Sequence, residues 1–294
     1  VPSIFPPPRV ALRRERWDTP DGDFIDVDFC GDPGARMRLV LFHGLEGSSD
    51  SHYARSIAAH AVRRGWRLAI AHFRGCSGDA NRTRRAYHSG DSDEIGWVLQ
   101  RLGGELYAIG VSLGGNALLK WLGERGEAAR ARVLRAAAVS APLDLAAAGR
   151  ALDRGLNRLL YTRHFLSTLK PKALAKLEVF PDLCDPEKLR AARTFYEFDN
   201  VVTAPLHGFR DTDHYWSAAA CAPYLEHIRV PTLVLNARND PFLPEQALVK
   251  AAQRAAPCVV LEFPRTGGHA GFLSAPFPGS HDWLPRHLLE FLTA

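Results

Sequence analysis

The sequence predicts an α/β fold: a mostly parallel central sheet with helices on both faces and an inserted, mainly helical cap. Three observations carry this. From Arg38 onward, short apolar runs alternate with helical patterns, as expected for a parallel sheet buried on both faces. The rhythm stops after residues 136–140 and resumes at Pro231, so 145–227 reads as an insertion within one domain spanning 1–294. Small and chemically active residues cluster where the strands end.

In chain order, Ile25, Val27 and Phe29 alternate with Asp26 and Asp28 after the turn residues Asp21-Gly22-Asp23. This period of two predicts a half-buried strand of an antiparallel edge hairpin. Strands follow at 39–42, 68–72 and 106–111, with helices at 53–64, 93–102 and 116–122. After a strand at 136–140, the insertion lacks a strand-helix repeat, and prolines at 171, 181, 186, 205 and 223 punctuate short helices. Strands at 231–236 and 259–263 and helices at 245–255 and 283–292 then complete the sheet.

Composition excludes several classes. Of 294 residues, 46% are hydrophobic and 23% charged, ordinary for a soluble globular chain. No apolar run reaches the ~18 residues of a membrane span, so at most peripheral membrane contact is expected. The start is proline-rich and then basic, without a secretory signal's apolar core, which suggests a cytoplasmic protein. Five scattered cysteines without a C-x-x-C pair fit reduced thiols rather than zinc. The net charge of +5, concentrated only near Arg82, Arg84 and Arg85, reads as a solvated basic face. With neither a G-x-x-x-x-G-K-[ST] phosphate loop nor a basic helix interleaved with aromatics, no nucleic-acid partner is expected.

Chemistry concentrates in Gly110-Val111-Ser112-Leu113-Gly114, directly after an apolar run. This is the pattern of a nucleophile on a tight strand-to-helix turn. Open α/β sheets bind ligands beyond the carboxyl ends of their strands, so partners for Ser112 belong in the other exit loops. His43-Gly44-Leu45-Glu46-Gly47 follows the first core strand, and the backbone N–H groups of Leu45 and Leu113 are candidates for an oxyanion hole. Asp240, after 231–236, is the preferred acid, with Asp144 its rival. His269, between glycines after 259–263, suits the general base; His281 and His287 are its competitors. The order Ser112, Asp240, His269 matches this kind of sheet.

These segments, together with His72-Phe73-Arg74-Gly75, Tyr87-His88-Ser89-Gly90-Asp91 and Gly267-Gly268-His269, resemble the YheT-like branch of the α/β-hydrolases. That branch also includes eukaryotic lipid hydrolases of the ABHD1/ABHD3 type and yeast medium-chain ester synthases. The resemblance covers nearly the whole chain after the first ~15 residues. It implies the α/β-hydrolase fold and a serine esterase of the carboxylic-ester class, with Ser112, Asp240 and His269 as its triad and neither cofactor nor metal. The loops carrying Arg74 and 87–91 would line or brace the site, and His43 and Arg74 are candidate lining residues. The expected partner is a small acyl ester, short- to medium-chain or lipid-like. Acyl transfer from an ester or thioester to an alcohol is the alternative, and a non-catalytic ligand-binding protein a more distant one. Leu159, Tyr161, Phe165, Phe195, Tyr196 and Phe198 are candidates for the walls of an acyl pocket, against the simpler expectation that they pack the insertion's own core.

Overall fold

The structure, a computed structural model, describes residues 9–274 and 279–294. Eight strands form one sheet: β1 (Arg13–Asp18), β2 (Phe24–Cys30), β3 (Arg38–Phe42), β4 (Arg67–Ala71), β5 (Leu106–Val111), β6 (Val133–Val139), β7 (Thr232–Leu235) and β8 (Val259–Glu262). Their order is β1-β2-β4-β3-β5-β6-β7-β8. β2 runs antiparallel to β1 and β4, and the remaining pairs are parallel. Phe42 aligns with Gly110, Val111 with Val139, and Val139 with Leu235. That register brings the exits of β3, β5, β6 and β7 onto one rim.

The helices in chain order are α1 (His52–Arg63), α2 (Ser92–Leu102) and α3 (Leu113–Arg125). Between β6 and β7 lie α4 (Leu145–Leu152), α5 (Gly155–Asn157), α6 (Arg163–Val179), α7 (Pro186–Ala191), α8 (Phe195–Phe198), α9 (Ala204–Leu206) and α10 (Thr212–Ala219). α11 (Glu245–Ala252) and α12 (Trp283–Thr293) flank β8. Alternation along the strands divides the core in two. Val40, Phe42, Ala108 and Ala138 face α2 and α3, whereas Leu41, Ile70, Ile109 and Val139 face α1 and α12. Among the described residues, no helix is long and apolar enough to cross a membrane.

Two expectations need correction. β2 is buried along its whole length, not half-buried: Asp26 and Asp28 are 1% and 2% exposed. The polar half of its alternation points at partners instead of water. Arg16 binds both oxygens of Asp26 at 2.8 Å, and Arg14 binds those of Asp28 at 2.7 and 2.8 Å. Asp28 Oδ2 also accepts from Ser49 Oγ at 2.6 Å and pairs with His72 Nε2 at 2.8 Å. Burial works to raise the Asp28 pKa, but hydrogen bonds from Arg14, His72 and Ser49 outweigh it and hold the carboxyl far below its usual range.

The second correction concerns Pro171, which lies inside α6 rather than between short helices. α5, a π-helical turn at Arg158–Thr162 and α6 follow one another without a break. A proline there removes one backbone hydrogen bond. Packing of Leu166 and Ala173 against Leu189, Phe198 and Val202 holds the helix together across it.

Candidate active site

β5 ends at Val111 and α3 begins at Leu113, leaving Ser112 alone on the turn with φ +54° and ψ −118°. The turn is this tight because its flanks carry no side chains. A Cβ on Gly110 would lie 2.5 Å from Gly114 O, and one on Gly114 would lie 2.5 Å from both Phe42 O and His43 O. Ser112 N–H donates to Val139 O at 2.8 Å. Among the described residues, the non-glycine residues with positive φ are Glu46, Ser112, Ser140, Ala270 and Phe272. All five lie on loops leaving the carboxyl ends of strands.

His269 Nε2 lies 3.0 Å from Ser112 Oγ, and Nδ1 lies 2.7 Å from Asp240 Oδ2. Asp240 is wholly enclosed at its side chain, while that of His269 is 18% exposed. Asp240 Oδ1 accepts from Phe242 N–H at 2.9 Å, and the Phe242 ring sits 4.2 Å from the imidazole. These partners assign the proton to Nδ1 and leave Nε2 to accept from the serine. The rival residues do other work. Asp144 caps α4, accepting from Ala147 N–H at 2.9 Å. His287 pairs with Glu262 at 2.7 Å and stacks on Trp283, and His281 packs against His52.

The 43–49 loop is tied at almost every residue. Gly44 N–H donates to Tyr53 Oη at 2.9 Å, Glu46 N–H to Tyr87 Oη at 3.0 Å, and Gly47 N–H to Gly44 O at 2.9 Å. Gly114 N–H donates to His43 O at 3.1 Å. Among the described residues, the N–H groups of Leu45 and Leu113 have no acceptor within the protein. Leu113 is the first residue of α3, where unsatisfied donors are expected. The Glu46 carboxylate accepts from Tyr87 Oη at 2.9 Å and pairs with Lys172 of α6 at 2.8 Å.

Of the two lining candidates, His43 departs from expectation and Arg74 borders the cavity. His43 does not face the site: its Nε2 accepts from Phe73 N–H at 3.0 Å and its Nδ1 donates to Gly44 O at 2.8 Å. Burial lowers its pKa to about 3, so the ring is a neutral brace beneath the loop. Arg74 borders the cavity, but its guanidinium is held by Glu94, Asp21 and Asp23. Of the 87–91 segment, Tyr87, His88 and Ser89 reach the cavity wall.

A cavity of about 420 Å³ runs from Ser112 and His269 in among the helices between β6 and β7, with walls that include Leu145, Leu169, Phe195, Phe198 and Trp216. Only Phe195 and Phe198 of the six aromatic and apolar candidates line it. Leu159, Tyr161 and Tyr196 are 63%, 36% and 39% exposed. Phe165 packs behind the wall between the rings of Phe195 and Phe242. Sequence spacing could not sort them, because the π-helical turn shifts which side chains of this helix face inward.

Glu46, Asp79 and Asp199 are the acidic residues bordering this largely apolar space. Asp199 accepts from Thr203 Oγ1 at 2.6 Å and Trp216 Nε1 at 2.8 Å, and burial raises its pKa to about 6. Its native form binds a proton more tightly than the unfolded chain does. Its contribution is therefore full below about pH 4 and declines as pH rises through about 6. Relative to Asp199→Asn, the wild-type protein is expected to lose at most about 3 kcal/mol between those limits. Urea midpoints across pH 4–7 check this; a pH-independent difference refutes it.

Residue patterns did not disclose Tyr53 or Lys172; Tyr87 stood in the 87–91 segment expected to line or brace the site, but without its hydroxyl's contacts to Glu46. Glu46 was visible in its motif, but its partner Lys172 is 126 residues away in sequence.

The profile of a family described as having the alpha/beta hydrolase fold matches residues 38–276. The chain is 37% identical over 289 residues to YheT of Escherichia coli, covering 95% of this chain and 84% of that protein. It is 28% identical over 306 residues to mouse phospholipase ABHD3, covering 100% of this chain and 74% of the relative. An esterase structure from Exiguobacterium antarcticum superposes with TM-score 0.62 at 19% identity, covering 95% of this chain and 99% of the other. The serine turn, the sheet that presents it and these likenesses converge: the chain belongs to the α/β-hydrolase family, in its YheT-like branch.

Proposed function

We propose that the protein is a serine hydrolase that cleaves carboxylic esters with an apolar, medium-length or lipid-like acyl chain. The observation that carries this is the Asp240–His269–Ser112 chain of contacts, at 2.7 and 3.0 Å, opening onto an apolar cavity. Relatives named phospholipase and monoacylglycerol lipase support the ester class.

In this reading His269 Nε2 takes the serine proton as Ser112 Oγ bonds to the acyl carbon. The N–H groups of Leu45 and Leu113 hold the resulting oxyanion. Asp240 keeps the imidazole in the required tautomer and stabilises its protonated form. Collapse breaks the ester C–O bond, and the leaving alcohol receives the proton from His269. Water, deprotonated by the same imidazole, then attacks the acyl-enzyme and releases the acid.

A series of p-nitrophenyl esters from acetyl to decanoyl tests the pocket. The ratio kcat/KM is expected to rise with chain length by roughly 10- to 100-fold before the cavity fills, at ~0.8 kcal/mol per buried methylene. A flat profile would refute an acyl-binding cavity. With ethanol present the free acid should remain the main product; predominance of the ethyl ester would make the protein an acyltransferase.

A further inference from the structure

Three leucines stand in water on one side of the insertion. Leu156, Leu159 and Leu160, spaced i, i+3 and i+4 across α5 and the π-helical turn, are 73%, 63% and 61% exposed. Scattered apolar residues are normal on a surface, whereas adjacent large ones mark a contact face. Arg154, Arg158 and Arg163 belong to the same segment, all exposed. None has a carboxylate within ion-pair distance among the described residues, although many other arginines of this chain do. The nearest acid in sequence, Asp153, spends its carboxylate on the N–H groups of Phe195 and Tyr196. Across 154–163, the exposed charged side chains are therefore all cationic.

It also touches the reaction machinery. Asn157 Nδ2 donates to Pro241 O at 2.6 Å. One residue before the π-helical turn ends, the Tyr161 ring meets Phe242 at 4.7 Å, and Phe242 meets His269 at 4.2 Å. A surface bound to this patch would lie two ring contacts from the imidazole.

We propose that residues 154–163 form a docking surface for an anionic lipid bilayer. The leucines enter the boundary between headgroups and acyl chains, while the arginines meet lipid phosphates, the arrangement of an interfacial amphipathic helix. A second copy of the chain fits less well: a two-fold contact would set arginine against arginine. The docking surface is independent of the ester chemistry, so it can be tested without turnover.

The test uses Ser112→Ala protein sedimented with vesicles of phosphatidylcholine alone or doped with phosphatidylglycerol. Binding is expected to the anionic vesicles, to weaken with added salt, and to be much lower on the neutral ones. Combined Leu156→Ser, Leu159→Ser and Leu160→Ser should reduce it at least about tenfold, as should Arg154→Gln, Arg158→Gln and Arg163→Gln together. On the active background, the leucine variant should hydrolyse soluble p-nitrophenyl butyrate at the parental rate and unfold at the parental temperature. Absence of vesicle binding, or binding equal for parent and both variants, would overturn the proposal. Leucine-dependent dimerisation in sedimentation velocity without vesicle binding would also overturn it, assigning the face to a second copy.

Discussion

Ser112→Ala is expected to lower kcat for ester hydrolysis by about 10⁵- to 10⁶-fold and to abolish labelling by a fluorophosphonate probe. In the proposed mechanism the loss is this large because the substitution removes the atom that would form the acyl-enzyme and leaves His269 with no hydroxyl to deprotonate. What survives is binding and whatever the Leu45 and Leu113 N–H groups contribute, about 10³- to 10⁴-fold over water in triad enzymes. Alanine retains a Cβ at φ +54°, so the turn keeps its geometry and the unfolding midpoint should hardly move. Equal probe labelling of parent and variant would remove Ser112 from the mechanism.

Asp240→Asn should lower kcat by about 10⁴-fold. Oδ1 of Asp240 accepts from Phe242 N–H and Oδ2 faces His269 Nδ1. An asparagine keeping its carbonyl on Phe242 N–H turns its NH₂ toward the imidazole. Nδ1 must then accept, the proton moves to Nε2, and the nitrogen facing Ser112 can no longer take a proton. Asp144→Ala is the contrast. It removes the N-cap of α4 at about 1 kcal/mol in stability, with kcat within about twofold of parental. Parallel kinetics and urea denaturation separate the two acids; a comparable loss of kcat in both variants would contradict the assignment.

Much of the site was legible because it depends on where strands end, and apolar runs mark strand ends well. Ser112, Asp240 and His269 each follow such a run, and the parallel register brings their loops together without further information. His43 and Arg74 were placed in the right neighbourhood, yet their orientation depends on Phe73 N–H and on a carboxylate cluster drawn from three segments. Asp26 and Asp28 looked solvent-facing because alternation shows polarity and not partners, and their arginines lie on β1, ahead of the hairpin turn. The cavity walls were the least legible part. Their inward faces depend on the π-helical turn and on a helix that runs through Pro171.

The five positive-φ residues that ring the carboxyl rim of the sheet also matter for the energetics of the whole molecule. Each non-glycine residue held in such a conformation costs of order 1–3 kcal/mol, against a net stability of about 5–15 kcal/mol for a typical folded protein. The chain meets that cost once, during folding, so the loops need little reorganisation when a substrate enters. A relaxed version of this rim would make a sturdier protein and a slower catalyst.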